Sequence, residues 1–417
     1  MKRFRALPLT AVTTAFAFGS PAWASPKLTT LVSFNSTVGE LPLAGLLADS
    51  AGNLYGTTAY GGPGGNGTVF EAAAQTYAVT VLASFDGSNG VAPNATLIAD
   101  PAGNLYGTTE GTNGDDGNYG TVFEVAAGTN ALSTLVTFTN DNGANPEGGL
   151  VADASGNLYG TTRDGGLIDD ESPYGEGTLY EVAAGTQTFS TLANFNGSTG
   201  TNPTAGLTLD AAGNLYGTTT AGGIYDDGTV FEVPAGTQSI KDFANFNGAN
   251  GSAPTAGLID VGGNLYGTTS SADASSGTVF EIAAGTHTVT TLATFNFTNG
   301  AQPDGSLIMD AASDLFGTTS GGGADDYGTV FEVAAGSDSV TTLATFNLHN
   351  GAYPYGNLIA DAAGNLYGTA LDGGPDAGGT VFEISNSGFV VPEPTSLSLF
   401  ALTVPALLRR RNRAVTP

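Results

Sequence analysis

Asn53-Leu54-Tyr55-Gly56-Thr57-Thr58 decides the fold, because it returns around Tyr106, Tyr159, Tyr216, Tyr266, Phe316 and Tyr367 at intervals of 51, 53, 57, 50, 50 and 51 residues. A period near 50 marks an array of equal supersecondary units. A second phrase, Gly67-Thr68-Val69-Phe70-Glu71, recurs at Gly120, Gly177, Gly228, Gly277, Gly328 and Gly379, and a third ends in Phe85, Phe138, Phe195, Phe246, Phe295 and Phe346. The third phrase also stands alone, as Leu28 to Phe34, ahead of the first full repeat, and the last repeat lacks it.

These segments are short, rich in Val, Thr, Phe, Tyr and Leu, and separated by Gly, Asn, Asp and Pro, the pattern of strands and turns. Four strands per repeat are expected. In the first repeat they are Ala44 to Ala48, Leu54 to Thr58, Thr68 to Ala72 and Ala78 to Phe85. The turn Asp49 to Asn53 joins the first two, its Asp carboxylate accepting backbone N–H groups and its Gly supplying positive φ. Seven four-stranded sheets around an axis make an all-β, seven-bladed β-propeller, an arrangement that leaves only short, protected edges. A ring needs its chain ends joined, so the orphan strand at Leu28 to Phe34 is expected to complete the seventh blade. Residues 25–386 form this one body.

The ends read as addresses. Lys2, Arg3 and Arg5 precede an apolar run to Phe18, and Ala22-Trp23-Ala24 is a small-x-small cleavage site, so residues 1–24 read as a secretory signal peptide. Residues 387–417 hold Val391-Pro392-Glu393-Pro394, an apolar run to Leu408 and Arg409-Arg410-Arg411. Twelve helical residues reach roughly 18 Å against a hydrocarbon core of about 30 Å, so no permanent membrane span is expected in the mature form. This tail resembles the PEP-CTERM sorting signal of Gram-negative bacteria. The resemblance implies recognition by an exosortase after passage through the secretion machinery, removal of the tail, and delivery to the cell surface or its exopolysaccharide. The repeats, through Gly-Asn-Leu-Tyr-Gly-Thr-Thr, the Gly-Gly loop and Gly-Thr-Val-Phe-Glu over residues 28–385, resemble the GloVer tandem repeat of bacterial surface proteins. That family implies architecture and export and supplies no chemistry to carry over.

Without residues 1–24 and 391–417 the chain keeps three basic residues, Lys27, Arg163 and Lys241, against 37 carboxylates, a net charge of −34. Such a surface repels nucleic acid and anionic lipid. It attracts cations or simply maintains solubility.

Loops joining strand two to strand three carry the length variation, with eight, ten, fourteen, eight, seven, eight and eight residues. The fourteen-residue loop holds the candidate ligand-binding residues Arg163, Asp164, Asp169, Asp170, Glu171 and Tyr174. Acidic pairs at Asp115-Asp116, Asp169-Asp170, Asp226-Asp227 and Asp325-Asp326 suit Ca²⁺, an oxygen-liganded ion, or serve as turn residues. No other cofactor is expected. The Glu that ends each third strand, from Glu71 to Glu383, is expected to bond a backbone N–H or a Thr hydroxyl in its own sheet.

Catalytic parts are few. Cys is absent, and His287 and His349 fall at different places in their repeats. Three functional readings stay open: a non-catalytic surface propeller that binds exopolysaccharide or surface proteins, a structural matrix element without a discrete site, and a carboxylate- or metal-dependent enzyme acting on polysaccharide.

Overall fold

Each repeat folds as one antiparallel sheet, and a computed structural model describes residues 24–112, 117–167, 172, 174–273 and 275–392. Residues 1–23, all but the last of the expected signal peptide 1–24, and the tail from residue 393 lie outside the described residues. The first strand, β1 (Lys27–Ser33), stands apart; β2 (Leu47–Ala48), β3 (Leu54–Thr58), β4 (Thr68–Ala72) and β5 (Val79–Ser84) then form a sheet in that order. Five more sheets repeat the pattern. The seventh has the order β1-β28-β27-β26, with β26 (Ile359–Ala360), β27 (Leu366–Ala370) and β28 (Thr380–Ser385). The seven-bladed propeller is therefore closed as expected, Lys27 pairing with Ser385 and Ser33 with Thr380.

The closing strand copies the others in detail. In six blades the pairing of the third strand with the outermost one slips once, between Val69 and Phe70 in the first blade, and β1 slips at the same level between Thr30 and Val32. A bulge there raises the local twist and blunts the exposed edge.

Two devices hold blade to blade. At every junction the Phe of the third phrase meets the ring of the second phrase in the next blade: Phe34 with Phe70, Phe85 with Phe123, Phe138 with Tyr180, and so on to Phe346 with Phe382, at centroid distances of 4.9 to 5.1 Å. Each edge-on contact contributes about 0.5–1.5 kcal/mol beyond the area it buries. Gly56 makes room for this ring, since a Cβ there would lie 2.7 Å from the Phe70 ring. The first Thr of Thr-Thr then donates its hydroxyl to a carbonyl of the following blade, from Thr57 to Ala95 round to Thr369 to Ala44, at 2.7 to 3.5 Å.

That second device shortens the innermost strand. Ala44 to Ala48 was expected to pair throughout, yet only Leu47 and Ala48 join the ladder. The Ala44 carbonyl bonds across the blade junction, so the segment before β2 lines the central channel.

The repeated words have structural work of their own. Asp49 accepts the Ala51 and Asn53 N–H groups at 2.9 Å, Gly52 has φ 84°, and Asn53 Oδ1 accepts Ala74 N–H at 2.8 Å, tying the two turns of the blade together. Four of the strand-ending Glu residues have a different partner from the one expected. Glu181, Glu232, Glu281 and Glu383 accept the Tyr hydroxyls of Tyr159, Tyr216, Tyr266 and Tyr367 at 2.9 to 3.5 Å, because those residues face each other in register. The sixth copy departs at Phe316, and the structure gives the reason. Residues beyond β28 fold back, so that Phe389 packs on Phe316 at 5.2 Å while Val390 exchanges hydrogen bonds with Ala311 N–H and Asp310.

Candidate functional site

Strand direction places the two classes of long loop on one face of the disc. Loops that lead into each innermost strand meet the loops that follow the second strand, in bridges such as Ala144 with Asp164, Thr201 with Ala221 and Ala352 with Asp372. The opposite face carries the short turns, and both ends of the propeller leave there, since β1 begins beside Ser385. Of the nine large apolar side chains exposed among the described residues, Tyr60, Leu167, Tyr174, Ile224, Tyr225, Phe297, Leu348 and Tyr355 lie on the loop face and only Val390 does not. The exposed apolar groups of the described residues are thus nearly all on the loop face.

At the centre of this face a cavity of about 420 Å³ opens into the channel. Its mouth is built from the residue after the Pro that starts each blade: Leu43, Asn94, Glu147, Thr204, Thr255, Asp304 and Tyr355. The Pro before it and the Leu three positions on are constant, so this position varies inside a constant frame. The residue after each Thr-Thr word, or after Thr-Ala in the seventh blade, comes up beside it and varies too, giving Ala59, Glu110, Arg163, Thr220, Ser270, Ser320 and Leu371.

Those two positions form different chemistry around the ring. Leu43 packs with Leu41, Ala59, Val91 and Ala92, an apolar sector. In the second blade Asn94 Nδ2 donates to Glu110, and in the third Arg163 bonds both Glu147 and, at 2.8 Å, Asp164. Asn202 from the next loop donates to Asp164 at 3.1 Å. In the sixth blade Asp304 accepts the Thr255 hydroxyl at 2.9 Å and the Ser320 hydroxyl at 2.6 Å. Burial pushes the Glu147 carboxyl up to about 7, against the pull of Arg163. It raises Glu110 and Asp304 as well, and Tyr355 is raised by burial and by the neighbouring Asp304 charge. Two buried atoms at the mouth, Asn94 Oδ1 and Thr204 Oγ1, have no hydrogen-bond partner.

Of the residues singled out in the sequence, Arg163 and Asp164 stand at the mouth, and Tyr174 lies 76 % exposed on the same face. Asp169, Asp170, Glu171, Asp115 and Asp116 fall outside the described residues. Asp226 and Asp326 each turn one oxygen onto their own loop, accepting Gly222 N–H at 3.0 Å and Gly322 N–H at 2.8 Å, while Asp227 and Asp325 are their chain neighbours. Among the described residues no group of three or more acidic or His side chains is placed to hold a metal ion. His287 contacts the Phe243 carbonyl and His349 that of Asn347, well apart in the chain. Tyr355 is one of the tyrosines the sequence offers for stacking on a sugar, whereas sequence reasoning missed Asn94, Glu110, Glu147, Thr204 and Asp304. Their signal was present: aligning the repeats on Pro shows one position that takes six residue types in seven copies.

A family model for a Gloeobacter/Verrucomicrobia repeat matches residues 20–170 and 166–382. No curated protein matches the chain. Among solved structures it is similar to a protein described as the extracellular domain of a hybrid two-component system from B. thetaiotaomicron (12 % identity, TM-score 0.56, 85 % of this chain and 39 % of that one). An oligogalacturonate lyase in complex with manganese (13 %, 0.56, 88 % and 93 %) and a GH74 enzyme from Niastella koreensis (15 %, 0.57, 85 % and 53 %) are also similar. The chain thus spans about two fifths of the first of these, and at such identities the likeness is one of fold. Among the described residues no helix is long and apolar enough to cross a membrane.

Proposed function

Taking as premise that the chain belongs to the Gloeobacter/Verrucomicrobia repeat family, we propose that it is an exported, non-catalytic binding propeller of the cell surface or extracellular matrix. Its ligand, an exopolysaccharide or a surface protein, docks on the loop face and enters the channel mouth. One observation carries this reading: the side chains that differ between repeats and the exposed aromatic groups share one face, while both propeller ends leave from the other. A tail handed to an exosortase in a Gram-negative bacterium would thus leave the mouth facing outward. An extracellular domain among the similar folds is in keeping with that.

Binding of the secreted protein to a panel of matrix polysaccharides tests the proposal. Tyr355→Ala and Arg163→Ala at the mouth should weaken binding at least tenfold, and Tyr159→Phe on the turn face should leave it unchanged. A purely structural matrix element would bind nothing, and equal binding by all three variants would move the site elsewhere.

A second reading, a polysaccharide-degrading enzyme, draws on Glu147, a half-buried acid whose carboxyl is pushed up to about 7. Release of reducing or unsaturated sugar ends would favour it, and their absence across the panel would sink it.

A further inference from the structure

Asp304 is a half-buried carboxylate without a cation. It accepts hydrogen bonds from the neutral hydroxyls of Thr255 and Ser320, and the described residues contain three Lys or Arg side chains. Lys27 and Lys241 lie on outermost strands, and Arg163 stands three blades away, bonded to Glu147 and Asp164. A largely desolvated charge without a counter-charge is costly, and a cation brought by a ligand removes that cost. Beside Asp304, in the next blade, the half-exposed Tyr355 offers a ring, and an ammonium group over a tyrosine face gains further from the ring quadrupole. Elsewhere on the mouth Asn94, Glu147, Thr204 and Thr255 supply polar side chains that can meet a sugar's hydroxyls.

We infer that the mouth binds a protonated amino sugar, its ammonium between Asp304 and Tyr355 and its hydroxyls among the polar side chains of the other blades. This rests on the binding role proposed above and names the ligand class for it. The cavity of about 420 Å³ is in the range of small-ligand sites. A bare divalent ion suits the place less well, because one carboxylate beside an aromatic ring falls short of the six to eight oxygens that Ca²⁺ takes. The strong negative charge of the whole chain draws cations of any kind to the surface, so a control for non-specific attraction is built into the test.

The measurement is calorimetric titration of the secreted protein with chitosan tetraose, which carries free amines, and with chitin tetraose, in which they are acetylated. Chitosan tetraose should bind at least tenfold more tightly. Asp304→Asn should weaken it at least tenfold, whereas Asp242→Asn, an equal change in net charge on an outermost strand, should not, with unchanged melting confirming that both variants fold. Equal effects of the two substitutions, or equal binding of the two sugars, would overturn the inference. In the latter case loss of both sugars on Tyr355→Ala would keep the binding role while removing the ammonium. Failure of chitosan, chitin and the polysaccharide panel together would remove both.

Discussion

Ala370 faces Thr380 across the seventh blade, where each of the other six sets two threonine hydroxyls 2.8 or 2.9 Å apart. Thr380 Oγ1 is consequently buried with no hydrogen-bond partner. Ala370→Thr restores the pair found in its sister blades, and a net hydrogen bond together with relief of a buried unsatisfied hydroxyl is worth about 1 kcal/mol. Chemical denaturation should show the variant more stable by roughly that amount. A loss of stability would mean that the seventh blade has no room for the hydroxyl and methyl.

Tyr180 presents the converse case. It stands where the other blades have Phe, its ring packs on Phe138 at 5.1 Å, and its hydroxyl is buried without a partner. Burial pushes the phenol well above its usual range, so it stays neutral at any working pH. Tyr180→Phe should keep the ring contact and stabilise the fold by about 1–2 kcal/mol, read from the denaturation midpoint.

Glu147 should make stability fall with rising pH. Its carboxyl titrates near 7 in the folded protein against an ordinary 4.5, so between those values the folded chain holds a proton that the unfolded chain releases. The contribution is complete below about 4.5 and is lost as pH climbs through 7. Arg163, Glu110 and Asp164 all face this group, and the first opposes the shift. The melting temperature of the parent minus that of Glu147→Gln should therefore decrease between pH 5 and pH 8, by an amount equivalent to about 1–3 kcal/mol. A difference that stays flat or rises would show that Glu147 is held ionised by Arg163.

Phe389→Ala should free the chain beyond β28. The ring rests on Phe316, and the segment adds a hydrogen bond from Ser387 Oγ to the Gly364 carbonyl at 2.6 Å. Loss of an aromatic contact of this kind costs about 1–3 kcal/mol locally. Limited proteolysis should cut the variant between residues 386 and 392 several times faster, with the propeller core still resistant. Unchanged cleavage would mean that the hydrogen bonds hold the segment without the ring.

The architecture was legible because the period, the strand chemistry and the orphan Leu28 to Phe34 each pointed to a closed ring. Short-range features such as the Asp49 turn were legible for the same reason, being local chemistry repeated seven times. The shortening of the innermost strand was not, because the Ala44 carbonyl answers to Thr369, 325 residues away. Of the candidate site, Arg163 and Asp164 were found through loop length, whereas Glu147 and Asp304 were hidden in a loop of ordinary length. Only the folded ring shows that the residue after each Pro converges on one axis.

The pairing of Lys27–Ser33 with Thr380–Ser385 sets a clock on maturation. The first strand of the propeller to be made has to wait for the last, so the ring cannot close until nearly the whole chain has been synthesised. Contacts of that sequence separation form slowly. Throughout the wait, one edge of β28 and the whole of β1 remain open to any other strand that comes by.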